Sequence, residues 1–256
     1  MEHPLFSIIT ITYNAAMELP VTMKSVADQR CHDFEHIIVD GASKDDTLAL
    51  ARSLGVDGLR IVSERDSGLY DAMNKGIHFA KGKYLIFLNA GDSFASADTL
   101  GQYAKAASSS PDIIYGDTVI VDAGGNILRP RHLSVPQVLS FESFSDGMLV
   151  CHQAFCVRRN LAPDYDLKYR FSADYDWTVR CLKASSPEKC INLNSVTIHY
   201  LDNGMTEKNK RNSLLERFEI MCRHYGVMRA VGKHLSFIPR AVSRRIKSRS
   251  AENRKY

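Results

Sequence analysis

The six cysteines of this 256-residue chain form no CxxC pair and show no zinc-type spacing. That sets aside a structural zinc module and a dithiol redox site, and it reads the cysteines as reduced core thiols. No stretch approaches the roughly 18 apolar residues that a membrane span needs. Near the start, Pro4 leads straight into a strand-like run, with no basic leader and apolar core before it. The expected location is therefore the cytoplasm. No GxGxxG follows the first apolar run, which disfavours a dinucleotide-dependent oxidoreductase. Internal repeats and low-complexity tracts are missing too.

What the chain does hold suits one α/β domain with a smaller appendage, since 45% of its residues are apolar. The formal charge of +4 is uneven: between Arg240 and Lys255 seven cations face Glu252 alone, a net +6 that leaves about −2 for the rest. The tail is basic but lacks interleaved aromatics and any binding motif, so no nucleic-acid partner is expected.

Short Ile- and Val-rich runs at Leu5–Thr12, His36–Val39, Leu59–Val62 and Tyr84–Leu88 predict strands. Helical spacing between them, over Glu18–Asp28, Asp45–Leu54 and Tyr70–Ala80, makes a repeated strand and helix alternation. A hairpin around Gly124 and Gly125 joins Ile113–Val121 to Ile127–Arg131, and a helix over Ser172–Ala184, a strand at Val196–Tyr200 and a helix over Asn209–Tyr225 follow. Loops at the carboxyl edge of a parallel sheet are where ligands bind. Four segments carry polar residues there or nearby: SIITITYN from Ser7, IIVDGASKDDT from Ile37, SERDSGLYDAMNKG from Ser63 and YLIFLNAGDS from Tyr84.

Taken in that order, and with FSADYDW from Phe171, the segments resemble family 2 glycosyltransferases of the GT-A fold, notably those of bacterial exopolysaccharide assembly such as the colanic acid type. The resemblance spans roughly Pro4 to Thr206 and implies a mostly parallel central sheet flanked by helices. Residues 1–206 would form the transferase domain, with a nucleotide-sugar-binding half over 1–100 and an acceptor-side half over 101–206. Residues 207–256 would be a helical, basic extension.

The resemblance also implies roles. Thr12, Tyr13 and Asn14 match the nucleotide-contacting loop, and Asp40 the acid that accepts a nucleobase N–H, which suits uracil or guanine and favours a UDP-sugar. Asp45 and Asp46 are left to start a helix. Arg65, Asp66, Asp71 and Asn74 lie in the stretch that closes over the donor, with Lys75 either on a phosphate or paired to Asp71 on a solvated face.

Asn89 and Asp92 stand where the family's metal-binding acidic triplet lies, with only one acid kept; Asp92, with His199 as a second candidate ligand, would hold Mg²⁺ or Mn²⁺. Asp174 matches the general base, with Ala173 in place of a preceding acid, while Asp176 supports structure. His152 and Gln153 resemble a pair on the acceptor or phosphate side. The implied enzyme moves one sugar, with inversion, to a lipid-linked saccharide. Phe237–Arg249, where an apolar stripe interleaves with basic residues, would rest on the inner leaflet. The losses at Gly91 and Ala173 leave one alternative, a nucleotide-binding or scaffolding module of the same fold without catalysis.

Overall fold

In a computed structural model, residues 3–202 and 209–236 are described. The first half follows the predicted alternation: β1 (Phe6–Thr12), α1 (Leu19–Ala27), β2 (Phe34–Asp40), α2 (Thr47–Leu54), β3 (Arg60–Ser63), α3 (Leu69–Phe79) and β4 (Tyr84–Phe87). Every residue of β1 and β4 is buried, as expected of strands covered on both faces, and that is why their sequences read as unbroken apolar runs. Against β1, α3 packs so closely that a Cβ at Gly76 would stand 2.5 Å from Ile9 Cγ2.

Next come β5 (Ser93–Phe94), α4 (Thr99–Ala107), β6 (Ile113–Val121), β7 (Ile127–Pro130), β8 (Phe155–Arg158), α5 (Ala173–Lys183), β9 (Cys190–Leu201) and α6 (Lys210–Tyr225). Residues 227–236 are also helical. All strands share one sheet in the order β3-β2-β1-β4-β8-β6-β9-β5, with β7 beside β6. The expected parallel character holds from β3 to β4. Beyond β4 the sheet is mixed: β8 enters antiparallel to both β4 and β6, β6 and β9 are parallel, and β5 runs antiparallel to β9.

Neither β5 nor α4 was anticipated, and β9 begins six residues earlier than expected. The boundary expected near Thr206, and the basic segment Phe237–Arg249, lie outside the described residues. Cys151, Cys156 and Cys181 are buried thiols, and Cys31, Cys190 and Cys222 are half-buried; none is bridged.

An aromatic stack fixes α5 against the sheet. The Tyr165 ring lies 4.9 Å from Trp177 at 7° and 5.4 Å from Tyr70, and Phe87 and Phe155 meet Trp177 edge-on. Trp177 Nε1 donates to the Pro163 carbonyl at 2.7 Å, so the buried indole has its partner. On the other side of α5, the Glu216 carboxylate of α6 accepts the backbone N–H groups of Arg170 and Phe171, and Ser213 bonds Ser172 at 2.9 Å. The start of α5 is thus held by sheet and helix together.

Candidate active site

Thr12 and Asp40 end adjacent parallel strands in direct register. Asp40 is fully buried, and its two oxygens accept four hydrogen bonds: from Thr12 Oγ1 (3.0 Å), Ser43 N (2.9 Å), Ser43 Oγ (2.5 Å) and Ser63 Oγ (2.7 Å). Burial acts to raise its pKa, but the Ser43, Ser63 and Thr12 hydrogen bonds outweigh it and hold the carboxyl below its ordinary value. The expectation that Asp40 offers an acceptor to a nucleobase is corrected here, because protein donors already fill its acceptor sites. It ties the ends of β1, β2 and β3 into one platform.

Asn14 belongs to the same platform. Its backbone has φ +48°, its N–H donates to Ser43 Oγ at 2.8 Å, and its Oδ1 accepts the Lys44 N–H. Asp45 does more than start α2, since it accepts from Ala16 N and from Thr47, joining the loop after β1 to the helix. Over this platform the Tyr13 ring is 64% exposed. A Cβ at Gly41 would lie 2.6 Å from Asp66 Oδ2 and 3.3 Å from Tyr13 Cδ2, so the missing side chain lets the half-buried Asp66 carboxylate approach the aromatic ring.

The stretch from Ser63 to Gly76 is internally tied. Asp66 Oδ1 accepts Gly68 N and Asp71 Oδ2 accepts Ser67 N, so both carboxylates shape the turn into α3. Lys75 pairs with Glu64 at 2.9 Å and donates to the Arg65 carbonyl, not to Asp71. Arg65 is exposed. Asn74, buried mid-helix, both donates to the Tyr165 carbonyl and accepts the Tyr165 N–H, which holds the aromatic stack in place.

In the loop between β4 and β5, Asp92 is 4% exposed; Oδ1 accepts Leu201 N at 3.0 Å and Oδ2 accepts Gln153 Nε2 at 2.8 Å. Burial pushes its pKa up to about 7, against the pull of those two donors. Position 91 admits no acid: Gly91 has φ +96°, and Leu201 Cδ2 would stand 2.7 Å from a Cβ. His199 sits on β9 in register with Ser93. No group of three or more His, Cys, Asp or Glu side chains fit to hold an ion stands together among the described residues.

Asp174, in the first turn of α5, is partly exposed. Tyr70 Oη donates to its Oδ1 at 3.3 Å, and His152 Nδ1 lies 3.6 Å from its Oδ2, too far for a hydrogen bond but inside ion-pair range. On the far side of the ring, Asn89 Nδ2 faces His152 Nε2 at 3.4 Å. Nε2 then accepts, which places the ring proton on Nδ1, toward Asp174. Burial lowers the His152 pKa more than Asp174 raises it, so the ring is neutral near pH 7.

His152 and Gln153 therefore link two separate carboxylates, one each, from adjacent positions in a short 3₁₀ turn. Sequence reasoning named both residues but not this connection, which only the fold creates. Asp176 is buried between Arg180 Nε (2.7 Å) and His224 Nε2 (2.8 Å), a structural network. Of the three acids expected to converge, Asp92 and Asp174 flank one site, while Asp40 faces inward beneath the neighbouring loops.

Solved structures resemble this arrangement as a whole. Staphylococcus aureus TarS 1–349 superposes with TM-score 0.69 at 15% identity, covering 91% of this chain and 72% of that one. The mannosyltransferase PcManGT from Pyrobaculum calidifontis, solved with GDP-Man and Mn²⁺, gives TM-score 0.60 at 14% identity over 98% of this chain and 81% of its own. They show the GT-A fold. In sequence, a PGL/p-HBAD biosynthesis glycosyltransferase of Mycobacterium bovis (strain BCG / Pasteur 1173P2) is 38% identical over 189 residues, 71% of either chain. An uncharacterized glycosyltransferase of Mycobacterium tuberculosis (strain ATCC 25618 / H37Rv) is 33% identical over 189 residues, 72% of this chain and 71% of that one. With the family model for Glycosyl transferase family 2 matching residues 7–164 as well, the chain belongs to that family and is a glycosyltransferase.

Proposed function

We propose that the enzyme transfers one sugar, with inversion, from a nucleoside-diphosphate sugar, UDP-linked by preference, to a hydroxyl of a lipid-linked oligosaccharide in exopolysaccharide, capsule or O-antigen assembly. The observation that carries this reading is the paired linkage of Asp174 to His152 and of Asp92 to Gln153. It sets a half-open carboxylate beside a buried one, as a proton acceptor next to a phosphate-binding end requires.

Asp174 takes the acceptor proton as the hydroxyl oxygen attacks the anomeric carbon in a single displacement. The Tyr175 N–H at 2.9 Å and Tyr70 Oη hold Oδ1, and His152 Nδ1 faces Oδ2, so the carboxylate's orientation is fixed. At the nucleoside end, the exposed Tyr13 ring offers a stacking face, and Asp66 beside it is the carboxylate left to meet a base N–H. That N–H suits uracil or guanine. Other members of the fold have been solved with such donors, TarS 1–349 with UDP-GlcNAc and PcManGT with GDP-Man.

The donor set at Asp92 fits Mg²⁺ or Mn²⁺ held at one point. A desolvated carboxylate with no cationic partner gains from a cation, and an ion of this kind accepts its remaining ligands from diphosphate and water. When bound, it supplies Lewis-acid neutralisation of the departing nucleotide. Asp92 is its protein ligand in this reading, and Asn89 and Gln153 orient the surrounding groups.

Attachment to the inner face of the membrane is part of the same reading. No helix of the described residues is long and apolar enough to cross a bilayer. Val227, Met228, Val231 and Leu235 form an exposed apolar stripe at helical spacing, and the sequence then continues into the basic segment from Arg240. An interfacial element combines those two features.

The test is thermal stabilisation by a panel of nucleotide sugars with Mn²⁺ and with chelator, followed by transfer assays of the stabilising donor. A donor that raises the melting midpoint and is consumed by the native enzyme but not by Asp174→Asn supports the reading. Full transfer by Asp174→Asn overturns it.

A further inference from the structure

Six buried side-chain polar atoms find no partner among the described residues: His36 Nδ1, Asn89 Oδ1, Thr118 Oγ1, Tyr165 Oη, Tyr169 Oη and Arg217 Nε. Such atoms are rare in folded proteins because each forfeits its hydration. Three of the six gather around Asp174. Asn89 faces His152, Tyr165 stacks on the Tyr70 ring whose hydroxyl meets Asp174, and the Arg217 guanidinium acts on the hydroxyls of both Tyr70 and Tyr175.

Of these, Arg217 is the group with a charge to satisfy. It stands on α6 next to Glu216, which holds the Arg170 and Phe171 N–H groups, and one turn after Ser213, which is bonded to Ser172. The helix is therefore locked to the start of α5 on this face, and Arg217 is carried by a rigid element. Two other cations are otherwise engaged, Lys75 by Glu64 and the Arg65 carbonyl, and Arg131 by the carbonyls of Met148 and Leu149. Leaving a buried guanidinium N–H without an acceptor is costly, and more so than for a neutral group.

We propose that Arg217 is a substrate-binding residue of this site, its guanidinium taking the diphosphate of the nucleotide donor. The inference rests on the reading that the donor is a nucleoside-diphosphate sugar. A diphosphate is the strong anion such a donor must bring, and the planar fork of arginine matches phosphate oxygens two at a time. Because charge grows on the diphosphate as it departs, the same contact tightens along the reaction.

The experiment compares the full chain with Arg217→Ala, Arg217→Gln and Arg217→Lys by calorimetric titration with UDP and GDP, and with uridine and guanosine. For whichever diphosphate the native protein binds, affinity should fall about tenfold to a hundredfold in Arg217→Ala, the loss of a charged hydrogen bond. Nucleoside affinity should not change, and the salt dependence of diphosphate binding should flatten. Arg217→Gln keeps N–H donors and length without charge, so it should lose nearly as much even if the alanine variant folds poorly; Arg217→Lys should recover part of the loss. Diphosphate affinity equal to native in the alanine and glutamine variants overturns the proposal. So does retained diphosphate affinity with lost transfer, which would move Arg217 to the acceptor. If the native protein binds neither diphosphate, the donor reading itself falls, and that failure is visible before any variant is made.

Discussion

Asp40, at the end of β2, and Asp174, in the first turn of α5, are both acids, yet they are held in opposite ways. Four donors at 2.5 to 3.0 Å saturate Asp40 inside the protein, whereas Asp174 is partly open, accepts the Tyr175 N–H at 2.9 Å on Oδ1 and otherwise meets Tyr70 and His152, at 3.3 and 3.6 Å. A carboxylate whose acceptor sites are filled maintains architecture; one with spare capacity and loose partners is ready for chemistry. The same residue type thus gives a keystone at the end of a strand and, in the proposed function, a base in the first turn of a helix.

The comparison is broken most directly by Asp174→Asn, which should lower transfer by about 10³-fold or more while leaving the melting midpoint near native. Initial rates alongside a thermal scan measure both. Asp40→Ala should do the reverse: unpairing the Thr12, Ser43 and Ser63 donors should cost roughly 3 kcal/mol of stability, read as a lower urea midpoint at unchanged slope. If Asp40→Ala were as stable as native but failed to bind nucleotide, the keystone description would be wrong.

His36 extends the contrast to pH. Lying wholly buried beneath the Asp40 platform, it has its pKa pressed down to about 4 by burial, from an ordinary 6.5. Between those values the unfolded chain binds the extra proton, so stability is present above about pH 6.5 and is lost as pH falls toward 4. The shift is worth about 3 kcal/mol. Replacing His36 with Gln should flatten that acid limb in a pH series of melting midpoints, and an unchanged limb would show that another group controls it.

The smallest effect sharpens the other side. Tyr70→Phe removes one hydrogen bond of 3.3 Å to Asp174 and should slow turnover about three- to tenfold. Donor affinity should be untouched. A loss as large as that of Asp174→Asn would instead give Tyr70 a direct part in the chemistry.

Legibility from sequence followed the same divide. Strands β1, β2, β3 and β4 and their helices were readable because unbroken Ile- and Val-rich runs and helical spacing leave little choice. Strand β5 has two residues, too few for a period to show. Helix α4 buries Leu100, Tyr103 and Ala107, a helical spacing that Gly101 and the surrounding small residues obscured. At the site, Asp40 and Asp92 stand after predicted strands and Asp174 at the start of a predicted helix, and the family resemblance singled them out. Their states were not legible, since Ser63, Tyr70 and Leu201 reach them from elements distant in the chain. Arg217 carried no signal, because an arginine on an amphipathic helix looks like any solvated charge.

One consequence follows from His152 and Gln153 being neighbours. A backbone shift there would move the partners of both carboxylates together, so in the proposed function loading of the leaving-group end would be felt at the nucleophile-activating end without any longer relay. Such a shared turn would favour an ordered cycle in which the activated sugar enters first and readies the machinery for the incoming alcohol, a sequence that would also limit wasteful hydrolysis.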